Sequence, residues 1–251
     1  MSETLQAYLI CGTPRSGSTL ICEMLARSGV AGRPHSYFRE VDIGYWAELW
    51  GVDTSDGLET PAFDRAYLAA MREVGSAGTG VFGLRIMWPS LADASRRLGR
   101  ALGGEGDVAR RLEESFGSLL YIHLSRGDKL GQAVSLVRAQ QSGLWHLNAD
   151  GSVLEGEEER PDPVYDGRRI AEVLDELERD DSAWNGFFAE RGIEPLRLTY
   201  EGVTAAPQQA LAGIFARLGL DQGIAHGMAV PTAKMADATS HEWVERFRRE
   251  R

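Results

Sequence analysis

Cysteine is scarce in this chain: Cys11 and Cys22 are the only two among 251 residues. They share no CxxC spacing and stand near no companion cluster, which argues against a disulfide framework or a thiolate metal site and leaves two buried free thiols. No apolar run approaches the roughly 18 residues that a membrane span requires. Positive charge is also in deficit, since 27 Lys+Arg against 37 Asp+Glu give a net charge of −10. Nucleic-acid backbones and anionic membranes are bound through an excess of Lys and Arg, so neither is expected as the main partner. An anionic ligand would have to be held by a local concentration of donors. Met1-Ser2-Glu3-Thr4-Leu5 carries an acid where a signal peptide carries bases, a cytoplasmic reading. There is no internal repeat and no linker that divides the chain, so one domain over residues 1–251 is expected, large enough to need no disulfide.

What is present is a globular composition, 43% hydrophobic, with a strand–helix alternation. The run AYLIC at residues 7–11 meets a Gly/Pro/Ser-rich turn at 12–16. A helical pattern follows, with Leu20, Ile21, Met24 and Leu25 on one face, stopped by Gly29. Short β-like runs recur at 82–87 (FGLRIM), 119–124 (LLYIHL) and 196–200 (LRLTY). Helices are expected over 61–74, 90–102, 128–141, 166–191, 207–218 and 240–250. Residues 75–80 and 103–107 carry turn chemistry, and 155–163 reads as an exposed acidic loop. The alternation implies an α/β fold whose central, mostly parallel sheet is flanked by helices.

The most informative segment is Gly12-Thr13-Pro14-Arg15-Ser16-Gly17-Ser18-Thr19, between a strand and a helix. It fits the phosphate-loop template G-x-x-x-x-G-K-[ST] at every fixed position but one, because Ser18 stands where the Lys belongs. Backbone NH groups and the helix N-terminus still form an anion cradle. The cation that reaches the β/γ-phosphates of a nucleoside triphosphate is missing, and the basic group is Arg15, inside the loop. Arg126 follows the strand at 119–124, and ligands of parallel α/β sheets sit at the carboxyl ends of strands.

A phosphate loop of this kind resembles that of the sulfotransferases that use 3′-phosphoadenosine 5′-phosphosulfate (PAPS). More narrowly, Ala7-Tyr8-Leu9 leading into the loop and Gly29-Val30-Ala31-Gly32 resemble the bacterial Stf-type family, which includes trehalose- and nodulation-type enzymes. The likeness continues in Gly83 to Trp88, His123-Leu124-Ser125-Arg126 with Gln132 to Ser135, Trp184 with Phe187-Phe188, Gly192 to Pro195, Tyr200-Glu201 and Glu242-Trp243-Val244. The resemblance implies a P-loop-type fold, PAPS as donor with no metal, and a homodimer. It implies that Pro14, Arg15, Ser16, Gly17, Ser18 and Thr19 hold the 5′-phosphosulfate, that Arg126 and Ser135 hold the 3′-phosphate, and that Lys234 closes over the nucleotide.

The acceptor implied is a hydroxyl of a small carbohydrate or glycolipid-like molecule. In the trehalose-type enzymes a glutamate two residues past a proline serves as base. Here Ser36 stands at that position. His35, whose ordinary pKa near 6.5 suits general-base work, is then the first candidate, with Glu40 the fallback and Arg15 the charge-stabilising group. Ser36, Tyr37, Phe38 and Arg85 are the candidates for meeting the acceptor, with Tyr45, Trp46 and Trp50 as further sugar-stacking or core aromatics. His123, inside an apolar strand, reads as a core histidine, and His146, His226 and His241 show no metal spacing. Two rival readings remain: an ATP-dependent phosphate-loop kinase, against which Ser18 counts, and a catalytically silent nucleotide-binding protein of the same fold.

Overall fold

The computed structural model describes residues 6–103, 106–156, 161–231 and 237–250. In chain order these form β1 (Gln6–Gly12), α1 (Ser18–Arg27), a 3₁₀ turn (Glu40–Asp42), α2 (Ile43–Leu49), α3 (Pro61–Ser76), β2 (Val81–Met87), α4 (Trp88–Leu102) and α5 (Val108–Phe116). Then come β3 (Leu119–Ser125), α6 (Lys129–Ser142), β4 (Leu144–Leu147), β5 (Val153–Gly156), α7 (Gly167–Glu190), β6 (Leu196–Thr199), α8 (Tyr200–Ala205), α9 (Pro207–Leu218), α10 (Gly223–His226) and α11 (Ala238–Glu250). Strands β2, β1, β3 and β6 lie in that order in one sheet, all parallel, while β4 and β5 form a separate antiparallel hairpin. The chain is thus α/β with a central parallel sheet flanked by helices.

The period-2 alternation of the strands sorts side chains onto two buried faces. From β1, Ala7, Leu9 and Cys11 enter one core with Phe82, Leu84 and Ile86 of β2 and Trp184, Phe187 and Phe188 of α7. Tyr8 and Ile10 point to the other face, where Ile21, Met24 and Leu25 of α1 meet Leu211, Ile214 and Phe215 of α9. Gly83 is required opposite Tyr8, because a Cβ there would stand 2.4 Å from the Tyr8 hydroxyl. That hydroxyl instead donates to Ala31 O at 2.7 Å. Fully burying an aromatic such as Phe82, stacked on Phe116 at 4.4 Å between centroids, contributes about 2–3 kcal/mol.

The four strands and seven of the helices lie where the periodicity predicts them, with shifted ends. Tyr200, expected to close a strand, opens α8 because Thr199 Oγ1 accepts from Gly202 N at 3.1 Å and caps a helix there. Helices α2, α5, α8 and α10 and the hairpin were not expected. Glu155, placed in the sequence reading at the start of an acidic loop, pairs with His146 in the hairpin. Among the described residues no helix is long and apolar enough to cross a membrane. Lys234 lies outside the described residues.

Candidate functional site

The order β2-β1-β3-β6 places the chain reversal at β1, whose neighbours β2 and β3 lie on opposite sides. Gly12 and Leu124 pair across β1 and β3. The loops that follow these two strands therefore emerge side by side at the carboxyl edge of the sheet. Gly12 cannot carry a side chain, since a Cβ would meet Leu124 O at 2.8 Å.

The loop from Gly12 to Ser18 is held from below. Trp184 Nε1 donates to Gly12 O at 2.9 Å, and Gln132 Nε2 donates to Thr13 Oγ1 at 2.8 Å and to Pro14 O at 2.6 Å. Arg15 has φ +64° and Gly17 φ +86°, both left-handed. A bulky residue in that region is strained and persists only where its surroundings fix it. Gly17 is the N-cap of α1, and no side chain caps the helix. The helix start offers backbone donors and the positive end of its dipole. Ser16 Oγ is buried and has no hydrogen-bond partner among the described residues, as an anion cradle would have it.

Three further groups gather on this loop. Arg15 Nε donates to Ser135 Oγ on α6 at 3.0 Å, and its NH1 group donates to Trp145 O. Arg126 donates to Arg15 O at 3.3 Å, lies 4.4 Å over the ring of Tyr200, and keeps a buried Nε without a partner among the described residues. The turn that carries Arg126 is fixed by Glu201, whose carboxylate accepts from Gly127 N at 3.1 Å and Asp128 N at 3.3 Å. Burial first, and then the nearby Arg126, lower the Arg15 pKa to about 10. It remains a cation at neutral pH.

A model of the Stf0 sulphotransferase family matches residues 7–250. The chain belongs to that family. It is 30% identical over 267 aligned positions to the trehalose 2-sulfotransferase of Mycobacterium tuberculosis, an alignment that covers 100% of this chain and 97% of the relative. It is 29% identical over 275 positions to the trehalose 2-sulfotransferase of Mycolicibacterium smegmatis, with 100% and 97% covered. Among solved structures, the sulfotransferase domain of the Synechococcus PCC 7002 olefin synthase superposes with a TM-score of 0.43 at 16% identity, covering 97% of this chain and 94% of that one.

In this Stf0 chain a cleft of about 330 Å³ opens above the loop. Pro14, Arg15, Gly17, Ser18, Thr19, Ser36 and Arg85 line it, so the loop and two of the candidate acceptor residues share one space. Arg85 joins them: its Nε donates to Ser36 Oγ at 2.8 Å and its NH1 to Thr19 Oγ1 at 3.0 Å. The opposite wall comes from residues that the sequence reading did not single out as site residues. These include Arg39, Trp145, His146, Glu155, Glu176 and Asp180. His146 Nε2 lies 2.9 Å from Thr19 Oγ1 and 3.4 Å from Arg15 NH1. Burial, with Arg15 and Arg85 beside it, pushes the His146 pKa down to about 3.

The remaining sequence candidates lie elsewhere. The ring of His35 packs 4.8 Å from Trp46 and 5.7 Å from Tyr37, its carbonyl accepts from Arg85 N at 3.0 Å, and it does not line the cleft. Burial, Arg85 and Arg39 hold its pKa near 3, far below the range of a base that works at neutral pH. Glu40 is drawn into an arginine cluster, with its two oxygens 2.7 and 3.3 Å from Arg97, and its pKa is lowered by that hydrogen bond. Tyr37 and Phe38 are core residues: the Tyr37 hydroxyl donates to Arg33 O at 2.6 Å, and both side chains are 2% exposed. Trp46 and Trp50 stack on each other at 5.4 Å against that same core.

Proposed function

We propose that this chain transfers the sulfuryl group of PAPS to a hydroxyl of a small carbohydrate or glycolipid-like acceptor, without a metal. The observation that carries this reading is the convergence of Arg15, Arg126 and Ser135 beyond β1 and β3, with Arg126 3.3 Å from Arg15 O and Ser135 3.0 Å from Arg15 Nε. A nucleotide phosphorylated at both its 5′ and 3′ positions needs two adjacent anion sites. Pro14 to Thr19 serve the first and Arg126 with Ser135 the second; Lys234 completes the assignment as the closing cation.

Bound PAPS supplies an activated sulfuryl group whose leaving group is a phosphate oxygen. The chain's own part is electrostatic. Arg15 and Arg85 face the cleft where negative charge accumulates, and their planar forks suit phosphate and sulfate oxygens better than an ammonium would. Ser16 and Ser18 add hydroxyl donors, and Ser36 and Arg85 border the acceptor side. That the full-length relatives are trehalose 2-sulfotransferases supports a sugar as acceptor.

The same reading makes the protein a cytoplasmic homodimer. Val41, Tyr45 and Leu49 recur every four residues along the 3₁₀ turn and α2 and are 78%, 62% and 60% exposed, an apolar stripe suited to a second copy. Light scattering on the eluting protein should give about twice the chain mass of 27.5 kDa, and a monomer would remove this part.

The donor is tested by calorimetric binding of 3′-phosphoadenosine 5′-phosphate (PAP) against ATP with Mg²⁺, on the intact protein and on Arg126→Ala. Preference for PAP that falls 10-fold or more in the variant is expected, since charged hydrogen bonds contribute about 1.5–3 kcal/mol. Preference for ATP with Mg²⁺ would return the loop to a kinase.

A further inference from the structure

Resting on the sulfuryl-transfer reading above, we propose that Asp180 is the base that takes the proton of the acceptor hydroxyl. The residue at the position where the resemblance puts a glutamate is Ser36, and Arg85 pins its hydroxyl at 2.8 Å. A base must therefore come from another wall of the cleft. Its described carboxylates are Glu155, Glu176 and Asp180.

Glu155 sits on the exposed hairpin with its carboxylate 3.8 Å from His146 Nε2. Glu176 is 47% exposed and faces Arg169 at 3.3 Å. An exposed or paired carboxylate has little basicity to offer. Asp180 makes no ion pair and no side-chain hydrogen bond with any described residue, and it is half-buried. It stands one helical turn after Glu176, so the two carboxylates share one face of α7. Leu177, buried in the core beneath, lines the cleft between them.

Burial raises the Asp180 pKa most; Arg179 opposes this and Glu176 adds to it. The other charged groups bordering the same space are Arg15 of the loop, Arg39, Arg85 of β2, His146 of β4 and Glu155 of β5. His146 cannot substitute, because its Nε2 already faces Thr19 Oγ1 at 2.9 Å, and burial, with Arg15 and Arg85 beside it, lowers its pKa to about 3, too weak a base at neutral pH.

The step balances without a further reactant. The acceptor O–H breaks and its proton passes to an Asp180 oxygen while the acceptor oxygen forms the new bond to sulfur. The bond from sulfur to the 5′-phosphate oxygen breaks, and its electron pair leaves on the phosphate of PAP.

The test uses the full chain and Asp180→Asn, with PAPS as donor and either trehalose or water as acceptor, read as PAP released. Turnover is expected to fall 10²–10⁴-fold, the usual worth of a positioned base, while calorimetric PAP affinity stays within 2-fold. A second readout needs no donor: ¹³C-carboxyl titration of the protein should show one carboxylate above the ordinary aspartate range, absent in Asp180→Asn and shifted down in Glu176→Gln. The acid limb of kcat/KM should follow the same shift. PAP bound by both proteins with PAPS consumed equally by both, or by neither, would overturn the base and leave the donor reading standing. Failure of the intact protein to bind PAP would instead sink the donor reading, and Asp180 with it.

Discussion

Thr19 Oγ1 lies 2.9 Å from His146 Nε2 and so ties the first turn of α1 to the hairpin β4–β5. The hydroxyl also accepts from Arg85 NH1 at 3.0 Å, which leaves its own hydrogen for the imidazole nitrogen. A proton on that nitrogen would replace an attraction with a repulsion, since Arg15 NH1 stands 3.4 Å away.

From this follows an acid sensitivity. His146 and His35 both have pKa values lowered to about 3 in the folded protein from 6.5. Between these values the unfolded chain binds more protons than the native one, so stability rises with pH across that window. It is fully present above about pH 6.5 and is lost as pH falls toward 3. Each histidine adds a slope of about 1.4 kcal/mol per pH unit. Urea midpoints measured from pH 7 to pH 4 should drop less steeply in His146→Gln than in the parent, and equal slopes would refute the burial of a neutral ring.

The sheet was legible because β1, β2 and β3 are short apolar runs bounded by turn residues, and the loop because its glycines and Ser/Thr fall at fixed spacing behind a strand. The far wall of the cleft was not. Leu144–Leu147 and Val153–Gly156 are only four residues each and are joined by Asn148-Ala149-Asp150-Gly151-Ser152, which reads as loop without the partner strand. The predicted helix 166–191 did contain Glu176 and Asp180 at the i, i+4 spacing of one face. What no local pattern carries is that this face meets the phosphate loop, since that depends on α7 packing Trp184 against Gly12 O. The aromatics near Tyr37 misled for the converse reason, because composition alone does not separate a sugar platform from a core.

Asp64 marks a place where charge holds the fold. It is 1% exposed and lies 2.8 Å from Arg97 and 2.5 Å from Arg100. Asp64→Asn leaves two guanidinium groups around a neutral amide, and removing one partner of a buried pair costs about 3–5 kcal/mol. Glu40→Gln, at a carboxylate 41% exposed on the same arginine, should cost about 1 kcal/mol or less. Chemical denaturation of the two variants checks the ranking; equal losses would mean that Arg97 depends on both partners alike.

Gly17 should be irreplaceable for a steric reason. Its φ is +86°, and an added Cβ would stand 2.8 Å from Tyr200 Cδ2. Arg126 covers that ring at 4.4 Å. The left-handed backbone alone costs an alanine about 1–2 kcal/mol, and the clash adds to it. Gly17→Ala should lower the melting temperature and weaken PAP binding at least 10-fold. In a Tyr200→Ala background the stability cost of the same change should shrink, and a cost that stays the same would show that backbone strain acts alone.

Arg85 is the group that should separate chemistry from binding. Its fork spans Ser36 at 2.8 Å and Thr19 at 3.0 Å, so it sets the acceptor segment against the loop. A lysine keeps the charge but cannot hold both hydroxyls in one plane. Arg85→Lys should therefore lower kcat about 10–100-fold, a loss of order 1.4–2.7 kcal/mol in transition-state stabilisation, with PAP affinity changed no more than a few-fold. Ser36→Ala removes only one arm and should lose less. If Arg85→Lys instead weakened PAP binding as much as turnover, Arg85 would belong to the nucleotide site, and the border between donor and acceptor would have to be drawn on the far side of β2.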